Sequence, residues 1–199
     1  MRVSQKTLEE HRGAILAAAG ALFRQRGIEG VSIADVTRAA GLTHGAFYGH
    51  YASKSALAAA STAEALQRSA DTWRRRAQRV RSSGGDAVAA LIDSYLTERH
   101  RDMPESGCAL AALGPELVRA APELRVALEH GVAALTGVLA EEIALRDPAL
   151  DPAECDRRAL AALAAMSGGL TLARAISDPD RSRDALHAAA AAARAAAGR

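Results

Sequence analysis

The chain has 199 residues, of which 49% are apolar and only 3% aromatic, and its formal net charge is +2. Its two cysteines, Cys108 and Cys155, are too few for a disulfide framework or a metal knuckle, so we predict no metal and no cofactor. The apolar runs are too short to span a membrane, and the N-terminal segment lacks the apolar core of a signal peptide. We therefore expect a soluble cytoplasmic protein with no membrane partner.

An all-α fold is predicted by the many alanines and leucines and by the scarcity of β-branched runs. The first helix is predicted to begin at Thr7, with Glu10 completing a capping box, and to end at Arg26 before Gly27. Its apolar residues recur at helical spacing and are expected to form a buried stripe: Leu8, Ile15, Ala19, Leu22 and Phe23.

Two short helices joined by a tight turn are predicted next. Ser32 is a good N-cap for the first of them, and Asp35 can complete a capping box. Gly41 stands where that helix must stop with a residue at positive φ. Thr43 can cap the second helix, which is predicted to extend to Tyr51. A helix-turn-helix is the simplest structure that meets these demands.

The second short helix is predicted to bury Phe47 and Tyr51. Its outer side has short, hydrogen-bonding side chains and no carboxylate, which suits a polyanionic partner: His44, Gly45, Tyr48 and His50. Ser53 then caps a fourth helix that runs to about Ser82. Lys54 in its first turn opposes the helix dipole, and this arrangement makes sense if Lys54 and the helix N-terminus both face a phosphate.

The charge distribution agrees with a nucleic-acid partner for the N-terminal end. Residues 1–54 contain seven lysines and arginines against four carboxylates, a balance of +3, so the remainder of the chain sums to −1. A second basic run, over residues 73–81, lies far along the fourth helix, and we interpret it as a solvated helix face.

The remaining helices are predicted over residues 87–101, 108–120, 122–146, 152–176 and 179–198, with Gly114-Pro115 as a kink or break. In the eighth helix, Leu160, Leu163, Met166 and Leu170 recur at helical spacing. Gly168-Gly169 is costly inside a helix, so close packing against another helix is expected. An Ala-rich surface helix and a subunit interface both fit the last two helices; we favour a four-helix bundle between two chains.

The run GLTHGAFYGHYASK, residues 41–54, resembles the recognition-helix signature of TetR-type transcriptional regulators. The resemblance implies a three-helix DNA-binding head over residues 1–52. It also implies a ligand-binding and dimerisation domain over residues 53–199, for about nine helices in all. The implied function is a ligand-responsive regulator, a repressor that binds a near-palindromic DNA operator as a homodimer through its two C-terminal helices. A small-molecule inducer would release it.

By position in the motif, the resemblance implies that His44 faces bases and that Gly45 lets the backbone approach DNA. Gly49 departs from the pattern, since many relatives carry a larger side chain there. The full candidate DNA-binding set is Ser32, Thr43, His44, Gly45, Tyr48, Gly49, His50 and Lys54. Thr43, Tyr48, His50 and Lys54 would bond phosphates.

A small, mostly apolar inducer is expected to enter a pocket among helices four to eight and to tilt the fourth helix. Each candidate lining residue fits plain core equally well: Trp73, Tyr95, Cys108, Leu113 and Met166. Cys108 is also a candidate thiol sensor, because it opens a predicted helix where a thiolate is favoured. Packing is the alternative for this cysteine.

Two other functions are alternatives to the regulator: an enzyme and a DNA-independent interaction module. The chain contains no HExxH motif, no Gly-x-Ser-x-Gly motif and no phosphate-cradling glycine loop, so an enzyme is disfavoured. Glu98, His100 and Asp102 are close in sequence, but we interpret them as surface polar residues. A DNA-independent helical interaction module leaves the polar outer face of residues 43–54 unexplained.

Overall fold

The computed structural model describes residues 5–119 and 122–198, and every regular element in those ranges is helical. The elements follow in chain order as α1 (Gln5–Arg26), α2 (Ile33–Ala39), α3 (His44–Tyr48), α4 (Lys54–Ser82), α5 (Ala87–Tyr95), α6 (Glu98–Asp102), the 3₁₀ turn η1 (Pro104–Ser106), α7 (Ala109–Arg119), α8 (Pro122–Arg146), α9 (Pro152–Ala175) and α10 (Pro179–Ala196). The all-α prediction is confirmed. None of the helices in the described ranges is long and apolar enough to cross a membrane.

Helix α6 was not predicted. It arises from a break in the chain that the sequence-based prediction missed. A single helix was predicted over residues 87–101, but Leu96 leaves the helical region with φ −90° and ψ 68°. Thr97 then caps α6, its hydroxyl oxygen accepting the backbone N–H of His100 at 3.1 Å. The prediction of one continuous helix was wrong because a capping threonine competes locally with helix continuation.

Two predictions for α1 were also wrong. The described part of α1 already includes Gln5, so Thr7 lies inside the helix and does not cap it. Leu8, placed in the buried stripe, is 42% exposed. The rest of that stripe is buried or half-buried, with Ile15, Ala19 and Phe23 completely inaccessible. The helical period was therefore right and only its first turn was misplaced.

The chain forms two compact units. The first comprises Met1–Ala65 and Pro104–His130, and the second comprises Leu66–Met103 and Gly131–Arg199. The core of the first unit unites α1 to α4 with residues of α7 and α8: Ile15, Ala19, Phe23, Ile28, Val31, Val36, Phe47, Tyr51, Leu57, Ala58, Leu113 and Leu124. The functional boundary between residues 52 and 53 stays a prediction.

The second unit contains α9 and α10 as its most extensive helix pair. Gly169 of α9 is buried against Ala189 of α10, where a Cβ on Gly169 would collide with the Ala189 side chain. At the start of α10, the Ser182 hydroxyl donates to the Ala173 carbonyl at 2.6 Å. The predicted close packing at Gly169 therefore serves a helix contact within the chain.

The neighbouring part of α9 faces solvent. Gly168 is exposed, and a Cβ built on it would meet nothing within 4 Å. Leu160, which recurs at helical spacing with Leu163 and Met166, is 55% exposed. The helix has two apolar faces, of which only the one containing Leu163 and Met166 is buried within its own chain.

Replacing Gly169 by alanine is expected to destabilise the fold by about 1–3 kcal/mol, because the added methyl group forces α9 and α10 apart. A protein of this size should then lose several degrees in Tm, measured by calorimetry. Gly137→Ala in α8 is the matched control. That glycine is exposed with open space around it, so its replacement should be stabilising. Equal effects of the two substitutions would contradict the close packing at Gly169.

Candidate nucleic-acid interface

The first helix of the motif, α2, begins with the predicted capping box. The backbone N–H of Asp35 donates to the Ser32 hydroxyl oxygen at 3.1 Å, and the Asp35 carboxylate accepts the Ser32 backbone N–H at 3.1 Å. The Ser32 hydroxyl also donates to that carboxylate at 2.6 Å. These hydrogen bonds, led by the one from the hydroxyl, lower the pKa of Asp35. Ser32 therefore has a clear structural function, and a DNA contact from it stays a prediction.

The turn after α2 has the hydrogen bonds of a Schellman motif. Gly41 has φ +70°, as predicted. The Leu42 N–H donates to the Thr37 carbonyl at 2.8 Å, and the Gly41 N–H donates to the Arg38 carbonyl at 3.1 Å. These two hydrogen bonds satisfy carbonyl groups at the C-terminal end of α2 that have no partner within the helix. The chain changes direction at this turn, and α3 begins three residues after Gly41.

The recognition helix α3 spans only His44–Tyr48, so its predicted extension to Tyr51 was wrong. Phe47 is completely buried and Tyr51 is 7% exposed, in agreement with the predicted inner face. On the other side, the His44 and Tyr48 rings make an edge contact with centroids 5.6 Å apart, and Tyr48 is 60% exposed. Aromatic packing on the inner face therefore fixes α3 in the core, and the residues on its outer face remain accessible to a partner.

The outer face of α3 contains a threonine and two glycines that the fold itself does not require. Thr43 occupies the N-cap position of α3, and in the described part of the chain its side chain makes no capping hydrogen bond. A Cβ on Gly45 would meet nothing within 4 Å, and one on Gly49 would meet only the Ala46 carbonyl oxygen at 3.5 Å. Gly49 has φ −74°, so neither space nor backbone conformation requires glycine there.

His50 is half-buried beside a residue that sequence reasoning missed. Its ring makes an edge contact with that of His11 on α1, with centroids 6.3 Å apart. The contact brings α1 to the edge of the candidate interface. No signal in the local sequence pattern relates positions so far apart in the chain.

The N-terminus of α4 agrees with its predicted cap, because the Ala56 N–H donates to the Ser53 hydroxyl oxygen at 3.0 Å. Lys54 is the first residue of the helix, and its ammonium group donates to the Val31 carbonyl at 3.4 Å. It also lies 3.6 Å from the carboxylate of Glu29, which is 93% exposed. Sequence reasoning missed Glu29 as a neighbour of the candidate phosphate contact.

The candidate ligand residues divide between the two units. In the second unit, the Trp73 and Tyr95 rings make an edge contact with centroids 5.8 Å apart, and both are buried. Met166 of the same unit is completely buried. Leu113 belongs to the core of the first unit, and Cys108 is a buried cysteine of that unit that forms no disulfide bond. A role of these residues in ligand binding, or of Cys108 in thiol sensing, stays a prediction.

His100 is not a simple surface residue, so that interpretation was wrong. Its ring stacks edge-on against Tyr95 with centroids 4.5 Å apart, and its Nδ1 lies 2.7 Å from the Tyr95 carbonyl oxygen. Burial, opposed by that hydrogen bond, lowers the pKa of His100. Thr97 in the sequence could have indicated it, because a new cap turns the following residues to another face.

A helix-turn-helix with an exposed aromatic outer face, followed by a cation at the next helix N-terminus, is typical of a DNA-binding protein. Two family models match the chain: "Bacterial regulatory proteins, tetR family" over residues 15–61, and "Transcriptional regulator LmrA/YxaF-like, C-terminal domain" over residues 84–192. The chain belongs to the tetR family of bacterial regulatory proteins. It is a ligand-responsive, DNA-binding transcriptional regulator, and membership of this family implies a non-enzymatic role.

Solved structures show the same fold. E. coli NemR in its reduced form has 22% identity and a TM-score of 0.71, covering 93% of this chain and 95% of its own. A tetR-family regulator from Cytophaga hutchinsonii has 18% identity and a TM-score of 0.75, with 98% of each chain covered. One from Chloroflexus aurantiacus has 25% identity and a TM-score of 0.69, covering 94% of this chain and 96% of its own. No protein with a curated description matches the sequence significantly.

Replacing Glu29 by glutamine is expected to tighten DNA binding, because the substitution removes a carboxylate that competes with phosphate for Lys54. An exposed ion pair is worth up to about 1 kcal/mol, so the gain should reach about fivefold at low salt. Lys54→Ala should weaken binding to all sequences and lower the salt slope by about one. Fluorescence anisotropy with a labelled duplex over a salt series measures both effects. Glu9→Gln makes the same charge change in α1, and an equal gain there would reduce the effect to net charge.

Replacing Gly45 by alanine is expected to stabilise the protein by roughly 0.4–1 kcal/mol, since the new methyl group enters open space and the unfolded chain loses freedom. The same methyl group should weaken DNA binding by holding α3 away from the duplex. Thermal unfolding and anisotropy are measured on the same variant. Gly13→Ala on α1, another exposed glycine with open space, should stabilise without weakening DNA binding. Unchanged DNA affinity of Gly45→Ala would show that the backbone does not approach DNA there.

Proposed function

We propose that this protein is a cytoplasmic repressor that binds a near-palindromic operator as a two-fold homodimer and is released by a small, mostly apolar inducer. One recognition helix per chain reads a single half-site, so two chains related by a two-fold axis read paired major-groove segments about one helical turn apart. His44 faces bases. Thr43, Tyr48, His50 and Lys54 contact phosphates, and Ser32, Gly45 and Gly49 complete the contacting surface.

The observation that carries the homodimer is the uncovered apolar face of α9 and α10. Leu160 and Leu172 are 55% and 61% exposed, and Gly168 lies between them with open space above it. Ala164 shares this face at a spacing of four residues and is exposed. Four of the exposed residues of α10 are alanines: Ala188, Ala191, Ala192 and Ala195.

An exposed apolar surface of this kind is typical of an interaction site. Small residues allow the backbones of two helices to approach closely, and two helices per chain form a four-helix bundle. A second copy of the chain presents the same two faces, so the surface is self-complementary about a two-fold axis. This geometry supports the proposed homodimer through α9 and α10.

The inducer is proposed to bind beside the Trp73–Tyr95 pair in the second unit. Two buried aromatic rings with Met166 in the same unit offer an apolar environment of the type that binds small molecules. Cys108 and Leu113 belong to the first unit, and we keep them as candidate ligand-binding residues. A 100-fold loss of DNA affinity requires only about 2.7 kcal/mol of coupling.

The test begins with selection of duplexes bound by the wild-type protein from a random pool. We expect near-palindromic sites, and sedimentation should give two chains per duplex. Leu172→Glu places a charge on the uncovered face, so it should give a monomer with much weaker operator binding. Val126→Glu on α8 is the control, because Val126 is also exposed, at 49%, but lies outside α9 and α10. A monomeric wild-type protein that binds one half-site as tightly as the full site would contradict the proposal.

A further inference from the structure

A carboxylate from α7 closes the turn between α1 and α2. The backbone N–H of Ile28 donates to Oε2 of Glu116 at 2.8 Å, across 88 positions of the chain. Gly27 beside it has φ +76°, and a Cβ on Gly27 would lie 2.7 Å from Oε1 of Glu116. The carboxylate therefore occupies the space that the absent side chain of Gly27 leaves, with both residues in the first unit.

The helix dipole of α1 does not explain why the Glu116 carboxylate lies at this turn. Glu116 lies at the C-terminal end of α1, where the helix dipole is unfavourable to an anion. Arg24 and Arg26 in the last turn of α1 reduce that cost. The charge-assisted hydrogen bond to Ile28 is directional and stronger than a neutral one, and it accounts for a carboxylate at a place that is otherwise unfavourable.

A second polar contact connects α1 to η1, which precedes α7 in the chain. Nε of Arg24 donates to the carbonyl oxygen of Glu105 in η1 at 3.0 Å, and the Nη2 group donates to the same oxygen. Apolar packing accompanies these bonds, because Leu113 of α7 and Leu124 of α8 belong to the core of α1 to α4. Residues 104–130 therefore form part of the unit that contains the helix-turn-helix.

The turn that Glu116 closes leads directly to Lys54. The Val31 N–H donates to the Ile28 carbonyl at 3.4 Å, and the Val31 carbonyl accepts from the Lys54 ammonium group at 3.4 Å. Val31 itself is 1% exposed, so its carbonyl is held in one place by packing. Val31 therefore connects the turn that Glu116 closes to the acceptor that holds Lys54.

We infer that Glu116 is a positioning residue for DNA binding: by accepting the Ile28 N–H, it fixes the α1–α2 turn and, through Val31, the placement of Lys54 at the DNA backbone. The inference rests on the proposed phosphate contact of Lys54. It assigns to α7, a helix outside the helix-turn-helix, an indirect role in the placement of Lys54 at the start of α4.

The test compares Glu116→Ala with Glu116→Gln on a duplex selected by the wild-type protein. Alanine removes the acceptor, so the affinity of the folded protein should fall by about tenfold, and the salt slope should fall by about one because Lys54 no longer meets its phosphate. Glutamine retains an amide oxygen at the same place, so it should recover most of the affinity and the full slope. The fraction of active protein is determined by titration, so that a loss of folded material does not enter the affinity.

Glu129→Ala is the matched control, an exposed carboxylate in the same unit whose loss should leave the salt slope unchanged. Glu116→Leu keeps the side-chain volume without the acceptor, and it replaces the alanine variant should that one not fold. Wild-type affinity and slope in Glu116→Ala, or equal losses in the alanine and glutamine variants with an unchanged slope, would overturn the inference. A wild-type protein that selects no duplex would overturn the proposed operator binding and this role together. A wild-type protein whose slope does not depend on Lys54 would overturn the phosphate contact and, with it, the route from Glu116.

Discussion

The DNA-binding head depends on the turn at Gly41, because two short helices have little stability of their own. α2 has seven residues and α3 has five, so neither forms on propensity alone. The turn satisfies the open carbonyls of α2 and directs α3 so that Phe47 enters the core against α1 and α4. Burial of that one aromatic ring then orients the whole outer face, since His44 and Tyr48 leave the same helix in other directions.

Local chemistry made this part of the molecule predictable from the sequence. The capping box of Ser32 and Asp35, the positive φ at Gly41 and the cap at Ser53 each depend on residues within four positions of one another. Such short-range interactions compete only with their immediate neighbours, so residue type and spacing are sufficient. Helical periodicity likewise predicted that Phe47 would be buried.

Long-range contacts could not be predicted in this way. Glu116 reaches Ile28 across 88 positions, and nothing in the run around Pro115 indicates its partner. Lys54 was correctly assigned to a helix start. Its neighbour Glu29 belongs to the segment between α1 and α2, and the path of that segment brings it close to Lys54. His100 was misjudged because a single capping residue changed the direction of the chain. For Glu116 and Lys54 the local structure could be predicted and the tertiary neighbour could not, whereas for His100 the local break at Leu96 and Thr97 was missed.

The glycines fall into two groups: those that the fold of the single chain requires and those that it does not. Gly41 is required by its backbone conformation and Gly169 by the close approach of Ala189, so the fold itself accounts for both. Gly45 and Gly168 are different, since each has open space where a side chain would stand. Glycine in a helix costs free energy relative to alanine, so the folded monomer gains nothing from either. The proposed function would give each of them a use, with a duplex close to Gly45 and a second subunit close to Gly168.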